Sequence, residues 1–118
     1  MINKQDYANF FEQNIDIVQG DTLAFNFSIT GLDGDTPTFK MVVKEHYDDL
    51  DPLCTAESGQ GIELVETAGN TNTYAVHFDP VQTENIKLGR FYYDLKMYVN
   101  GDTLTLMRGR FSVLYRVG

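Results

Sequence analysis

Cys54 and His46 have the strongest claim to nucleophilic chemistry in this chain, because a thiol needs a nearby base to supply its thiolate. The surroundings argue against it. Cys54 lies in a turn-rich, acidic stretch, Asp48 to Gly61, and neighbouring carboxylates raise a thiol's pKa and disfavour the reactive form. His77 falls on the polar side of an alternating run, the place of a solvated imidazole rather than a ligand. The sequence holds no HExxH or GxSxG pattern and no Gly-rich loop between a strand and a helix. The expectation is a protein that is not an enzyme, with no catalytic residue and no cofactor.

Hard oxygen ligands for calcium would come from the acids at Asp33 and Asp35, or at Asp48, Asp49 and Asp51. A helix–loop–helix calcium loop ends in a bidentate glutamate at its twelfth position. Counting from Asp33 puts Lys44 there, and counting from Asp48 puts Gly59 there. These acids read as ordinary turn residues, so no metal site is expected, with an irregular calcium site as the alternative. The aromatic residues suggest contact chemistry instead. Tyr92 and Tyr98 project from one face of a single strand, and with Tyr47 they could line an outer surface suited to a protein or a sugar. Tyr7, Phe10 and Phe11 fall at i, i+3 and i+4 after Asn3, a possible helix cap, and form one aromatic stripe. The candidate interface is therefore Tyr7, Phe10, Phe11, Tyr92 and Tyr98.

The elements that carry these residues are mostly strands. Leu23, Phe25, Phe27 and Ile29 alternate with small polar residues, the period of a half-buried strand. Phe39, Met41 and Val43 repeat the pattern, as do Tyr74, Val76 and Phe78 in a strand paired with Ile62 to Thr67. Asp79, Pro80 and Gln82 predict a capped single helical turn. Phe91, Tyr93, Leu95, Met97 and Val99 share one face of the next strand, and Asn100-Gly101 closes a tight hairpin. In the last strand the apolar parity changes between Leu104–Leu106 and Phe111–Val117, which predicts a β-bulge across Met107 to Arg110, with Gly109 its natural place.

With Ile15 to Val18 as an edge, the count is about seven strands. The predicted fold is an all-β, Ig-like antiparallel sandwich of two sheets, residues 14–118, preceded by a short N-terminal helical arm, residues 1–13. The Ig hallmarks are missing: there is no Trp, no cysteine pair, and Phe91 stands where a tyrosine corner would put a hydroxyl.

A chain of 118 residues supports one core, and one cysteine excludes an internal disulfide framework. The net charge of −8 argues against nucleic acid or an anionic membrane as partner, since both reward clustered Lys and Arg. No apolar stretch approaches the ~18 residues of a membrane span, and no signal segment follows Met1. Charge is uneven: residues 1–86 hold 15 acids and 3 bases, and residues 87–118 hold 2 acids and 6 bases. Either the basic C-terminal strands lie beside acidic ones within one sheet, or a basic edge of one subunit meets an acidic edge of the next.

Gly20-Asp21 ahead of an early strand, Gly89, Phe91, Tyr93 and Asp94 in a later one, and Thr105, Leu106, Gly109, Phe111 and Val113 in the last carry a resemblance. The order resembles small β-sandwich proteins of tailed phages and prophages, most nearly the N-terminal domain of baseplate upper proteins. The resemblance spans most of residues 14–117, without the aromatic stripe or the acidic loop. It implies a virion structural protein of the tail, made in the bacterial cytoplasm. Such a protein acts by homo-oligomerisation and by docking other tail or baseplate proteins. A carbohydrate- or cell-surface-binding β-sandwich module is the alternative.

Overall fold

The computed structural model describes residues 11–116, with Phe11 described through its backbone alone. The expected stripe residues Tyr7 and Phe10 lie outside the described residues, as does the predicted helix that would carry them. Phe11 departs from the helical expectation: it opens a strand, β1 (Phe11–Glu12), which pairs in parallel with Met107 and Arg108.

Eight further strands follow: β2 (Ile15–Val18), β3 (Leu23–Thr30), β4 (Thr38–Lys44), β5 (Cys54–Ser58), β6 (Gly61–Ala68), β7 (Thr71–Phe78), β8 (Gly89–Val99) and β9 (Asp102–Leu114). One helical turn, α1 (Pro80–Glu84), separates β7 from β8. The fold is all-β, as the alternation requires. Instead of seven strands in two independent antiparallel sheets, nine strands form one hydrogen-bonded sheet in the order β1-β9-β8-β4-β5-β6-β7-β3, with β2 also on β9. Two short parallel pairs, Glu57 with Gly61 and Ser58 with Ile62, carry the ladder around the corner from β5 to β6. The sequence hides this join because β5 lies inside the acidic stretch expected to be a loop. The sheet curls into a nearly closed barrel, and its ends, β1–β2 and β3, face each other across a groove.

Curling places the apolar faces against one another. Phe91, Tyr93, Leu95 and Met97 of β8 are buried beside Phe39, Met41 and Val43 of β4 and pack with Tyr74, Val76 and Phe78 of β7. Across the barrel, the Phe39 ring lies 4.4 Å from Tyr74 and 5.0 Å from Phe27, centroid to centroid. Such aromatic pairs add about 0.5 to 1.5 kcal/mol each beyond their area burial.

Local signals hold well. The Asp79 carboxylate accepts from Gln82 N at 3.0 Å while Asp79 N donates to Gln82 Oε1 at 3.0 Å, a complete capping box. Asn100 and Gly101 both take positive φ, 52° and 80°, as a type I′ hairpin demands.

The bulge of β9 is real but displaced. Thr105 pairs with Lys96 and Met107 with Leu95, so Leu106 is the extra residue, and it is buried. Met107 already faces inward opposite Leu95, so the parity change is complete before Gly109, which pairs in register with Tyr93. A second irregularity, between Leu64 and Glu66 of β6, leaves Leu64 and Val65 exposed.

Candidate functional site

The outer face of β4, β8 and β9 carries the described part of the expected interface. Period-two geometry sends Arg90, Tyr92, Asp94, Lys96 and Tyr98 of β8 outward. Register builds four rows across the three strands: Lys44–Tyr92–Arg110, Val42–Asp94–Arg108, Lys40–Lys96–Thr105 and Thr38–Tyr98–Thr103. Six bases, Lys40, Lys44, Arg90, Lys96, Arg108 and Arg110, thus share one face with Asp94 as the single acid at the outward positions of these strands.

The basic strands β8 and β9 lie beside each other and beside a third basic strand, β4. The acidic neighbours that one of the two sequence readings held, Glu12 and Asp16 of β1 and β2, pair with the far side of β9. Lys40 and Lys96 stand directly opposite each other, an arrangement that costs a sheet stability. Acids enter only at the margins. Glu57 of β5 pairs with Lys40, and Glu12 lies 3.7 Å from Arg108. Lys87 meets Glu45 at 2.6 Å beside this face.

The tyrosines do not form a continuous row. Tyr47, 59% exposed, stacks on Tyr92 with centroids 4.3 Å apart, whereas Tyr98 stands six residues farther along β8, about 20 Å away. Beneath the stack is a cavity of about 30 Å³ lined by Val42, Lys44, Tyr47, Tyr92, Tyr93 and Asp94. The Asp94 Oδ1 atom is buried and has no hydrogen-bond partner among the described residues. The face is thus cationic and ends in a flat aromatic pair, which suits an anionic surface with planar or apolar groups.

Sequence reasoning missed the groove at the barrel's opening. It encloses about 650 Å³ between β3 on one side and Gln13, Ile15, Leu106 and Met107 on the other. Phe25 and Phe27 line it and stay half-buried, because no described strand covers them. Alternation marks those phenylalanines as inward-facing but cannot tell whether anything faces them.

Of the groups considered for chemistry, His46 directly precedes Tyr47 at the rim of the cationic face, and Cys54 lies within the sheet. Cys54 is half-buried on the inner side opposite Val43. Burial pushes its thiol up to about 11, the Asp79 charge adds to that, and a backbone hydrogen bond at Thr55 works against it. His46 N donates to Asp49 Oδ2 at 2.9 Å within the acidic loop, and His77 is exposed. Among the described residues, no group of three or more His, Cys, Asp or Glu is placed to share a metal ion, and no helix is long and apolar enough to cross a membrane.

Neither a family model nor the sequence of a curated protein matches the chain. Solved structures do share its architecture. A family 123 glycoside hydrolase from Clostridium perfringens superposes with a TM-score of 0.55 at 12% identity, over 90% of this chain and 23% of the hydrolase. The chain thus spans about a quarter of that enzyme's length. A structure from work on multimeric cell-adhesive interactions of VGSC beta subunits gives a TM-score of 0.50 at 13% identity, over 87% of this chain and 92% of that one. The CupB6 tip adhesin from Pseudomonas aeruginosa gives 0.44 at 13% identity, over 97% and 43%. At these identities the first two likenesses establish a shared β fold and leave function to be argued from the residues.

Proposed function

We propose that this chain is an assembly module that works through protein–protein contacts rather than catalysis, a structural component of a phage or prophage tail of the baseplate type. The observation that carries the reading is the cationic outer face of β4, β8 and β9 in a protein whose net charge is −8. Keeping Lys40 opposite Lys96 has a folding cost, and an acidic partner laid across the face would offset it. The acidic loop bearing Asp48, Asp49 and Asp51 offers such a partner on another copy, a head-to-tail geometry that closes into rings or extends into tubes. The strand order supports reading the curled sheet as an Ig-like sandwich, with β2, β9, β8, β4 and β5 in one layer and β3, β7 and β6 in the other.

Light scattering on the full chain across a salt series tests this. Oligomers at low salt that dissolve as screening rises, and that a Lys96→Glu/Arg110→Glu variant fails to form, support it. A monomer at every salt concentration up to high micromolar protein, with no partner recovered from tail lysates, overturns it. A second reading, a carbohydrate-binding module, rests on the Tyr47–Tyr92 stack. A glycan array that is blank with and without calcium removes it.

A further inference from the structure

Strand β3 ends the sheet, and among the described residues no strand pairs with its outer edge. Gly31 N donates to Asn70 O at 3.0 Å, which sets the phase of the antiparallel ladder between β3 and β7. Counting back by twos, Leu23, Phe25, Phe27 and Ile29 bond to β7, and the N–H and C=O groups of Ala24, Asn26, Ser28 and Thr30 point to the free edge. The hydroxyl pairs Ser28–Thr73 and Thr30–Thr71, both 2.8 Å, fit the closer, non-hydrogen-bonded positions that this phase requires.

Exposed edges are normally blunted by a charge, a proline or a bulge, and β3 has none of these. β3 and its neighbour β7, eight residues each, hold no Asp, Glu, Lys or Arg in a chain of net charge −8. That neutrality selects the partner. A two-fold contact sets a patch against its own copy, which repels for the cationic face and for the acidic loop alike. The uncharged edge of β3 can meet itself without that cost.

We infer that β3 pairs with β3 of a second copy, antiparallel about a two-fold axis at Phe27, so that the two sheets join edge to edge. The phase of the edge requires even-numbered residues to face one another. Centring on Phe27 pairs Ala24 with Thr30 and Asn26 with Ser28, twice over by symmetry, for about eight N–H···O bonds. Centring on Asn26 sets Thr30 opposite Thr22, and centring on Ser28 sets Ala24 opposite Leu32, both outside the strand, so the ladder shortens. The Phe27 register also matches the side chains. On the outer face every pair is small and uncharged. On the inner face Phe25 meets Ile29, and Phe27 meets its own copy at a closely spaced, non-hydrogen-bonded position, which covers the half-buried phenylalanines beside the groove. The contact joins like to like and is independent of the cationic face.

Sedimentation of the full chain at about 1 M NaCl tests it, because screening there removes the head-to-tail contact between opposite charges and leaves this one. A dimer that strengthens with concentration is expected, unchanged in Lys96→Glu and weakened at least about tenfold in Asn26→Pro. Proline at that position removes an N–H that faces the free edge and keeps the ladder with β7. Amide exchange in the wild type is the second measurement: protection of Ala24, Asn26, Ser28 and Thr30 should rise with protein concentration, while Phe25 and Phe27 stay protected throughout. A monomer up to high micromolar protein at that salt overturns the inference and leaves the head-to-tail contact standing. Equal dimerisation of a folded Asn26→Pro variant also overturns it. So does protection of the four amides that is the same at every concentration, because another occupant would then hold the edge.

Discussion

The Tyr93 hydroxyl donates a 2.6 Å hydrogen bond to the carbonyl oxygen of Gln13, joining the middle of β8 to the link between β1 and β2 across 80 residues of sequence. The bond passes over Gly109, the β9 partner of Tyr93. A Cβ on Gly109 would collide with that same Gln13 oxygen. Gly109 is therefore required for close approach: its missing side chain lets the N-terminal strands lie against β9. Gln13 N donating to Arg108 O, and Arg110 N donating to Asn14 Oδ1, complete the seam, each at 3.0 Å.

Gly109→Ala should accordingly destabilise the fold by about 2 to 3 kcal/mol, since the atom in the way is backbone and cannot swing aside. A denaturant melt measures the loss. Stability equal to wild type would mean that β1 and β2 do not sit on β9 as described.

Tyr93→Phe removes one hydrogen bond and should cost about 1 kcal/mol at neutral pH. Its alkaline signature is more specific. Desolvation by burial raises the Tyr93 hydroxyl from 10.0 to about 12, so between those values the native state keeps a proton that the unfolded chain has released. The contribution is whole below pH 10, declines above it, and is gone near pH 12. Melts over that range should show a slope in wild type that flattens in Tyr93→Phe.

For Cys54, burial raises the thiol from 9.0 to about 11, leaving about 100-fold less thiolate at neutral pH than an unperturbed cysteine would have. Iodoacetamide should label the native protein slowly and the denatured protein at ordinary speed. Rapid native labelling at pH 7.5 would contradict the placement of this side chain opposite Val43.

Lys96→Glu tests the cationic face in two ways. It converts the like-charged pair with Lys40 into an attractive one, so the isolated domain should gain about 0.2 to 1 kcal/mol in a melt at low salt. The same change should weaken any salt-sensitive self-association. A variant that loses both stability and assembly would show that Lys96 is structural instead.

Where the sequence was informative, the cause was local. Alternation in β3, β4, β7 and β8, the Asp79 capping box and the Asn100-Gly101 turn each depend on a few adjacent residues and appear as expected. What was hidden depends on distant partners. β5 has little alternation of its own and is fixed by pairing with β4 on one side and β6 on the other. Gly109 looked like a bulge residue because its real neighbour, Gln13, is far away in sequence. Parity placed Tyr92 and Tyr98 on one face, but the stacking of Tyr47 on Tyr92 and the gathering of lysines appear only once β4 is set beside β8.

The parallel pairing of β2 with β9, from Ile15–Phe111 to Val18–Leu114, governs how the domain would bear mechanical load. Pulling the chain apart from just before β2 and just after β9 draws the two strands along each other's length, so their hydrogen bonds must yield together rather than one at a time. A fold clamped this way resists tension through the height of its unfolding barrier. That property would suit a part held within a fibre, a tube or a tethered particle.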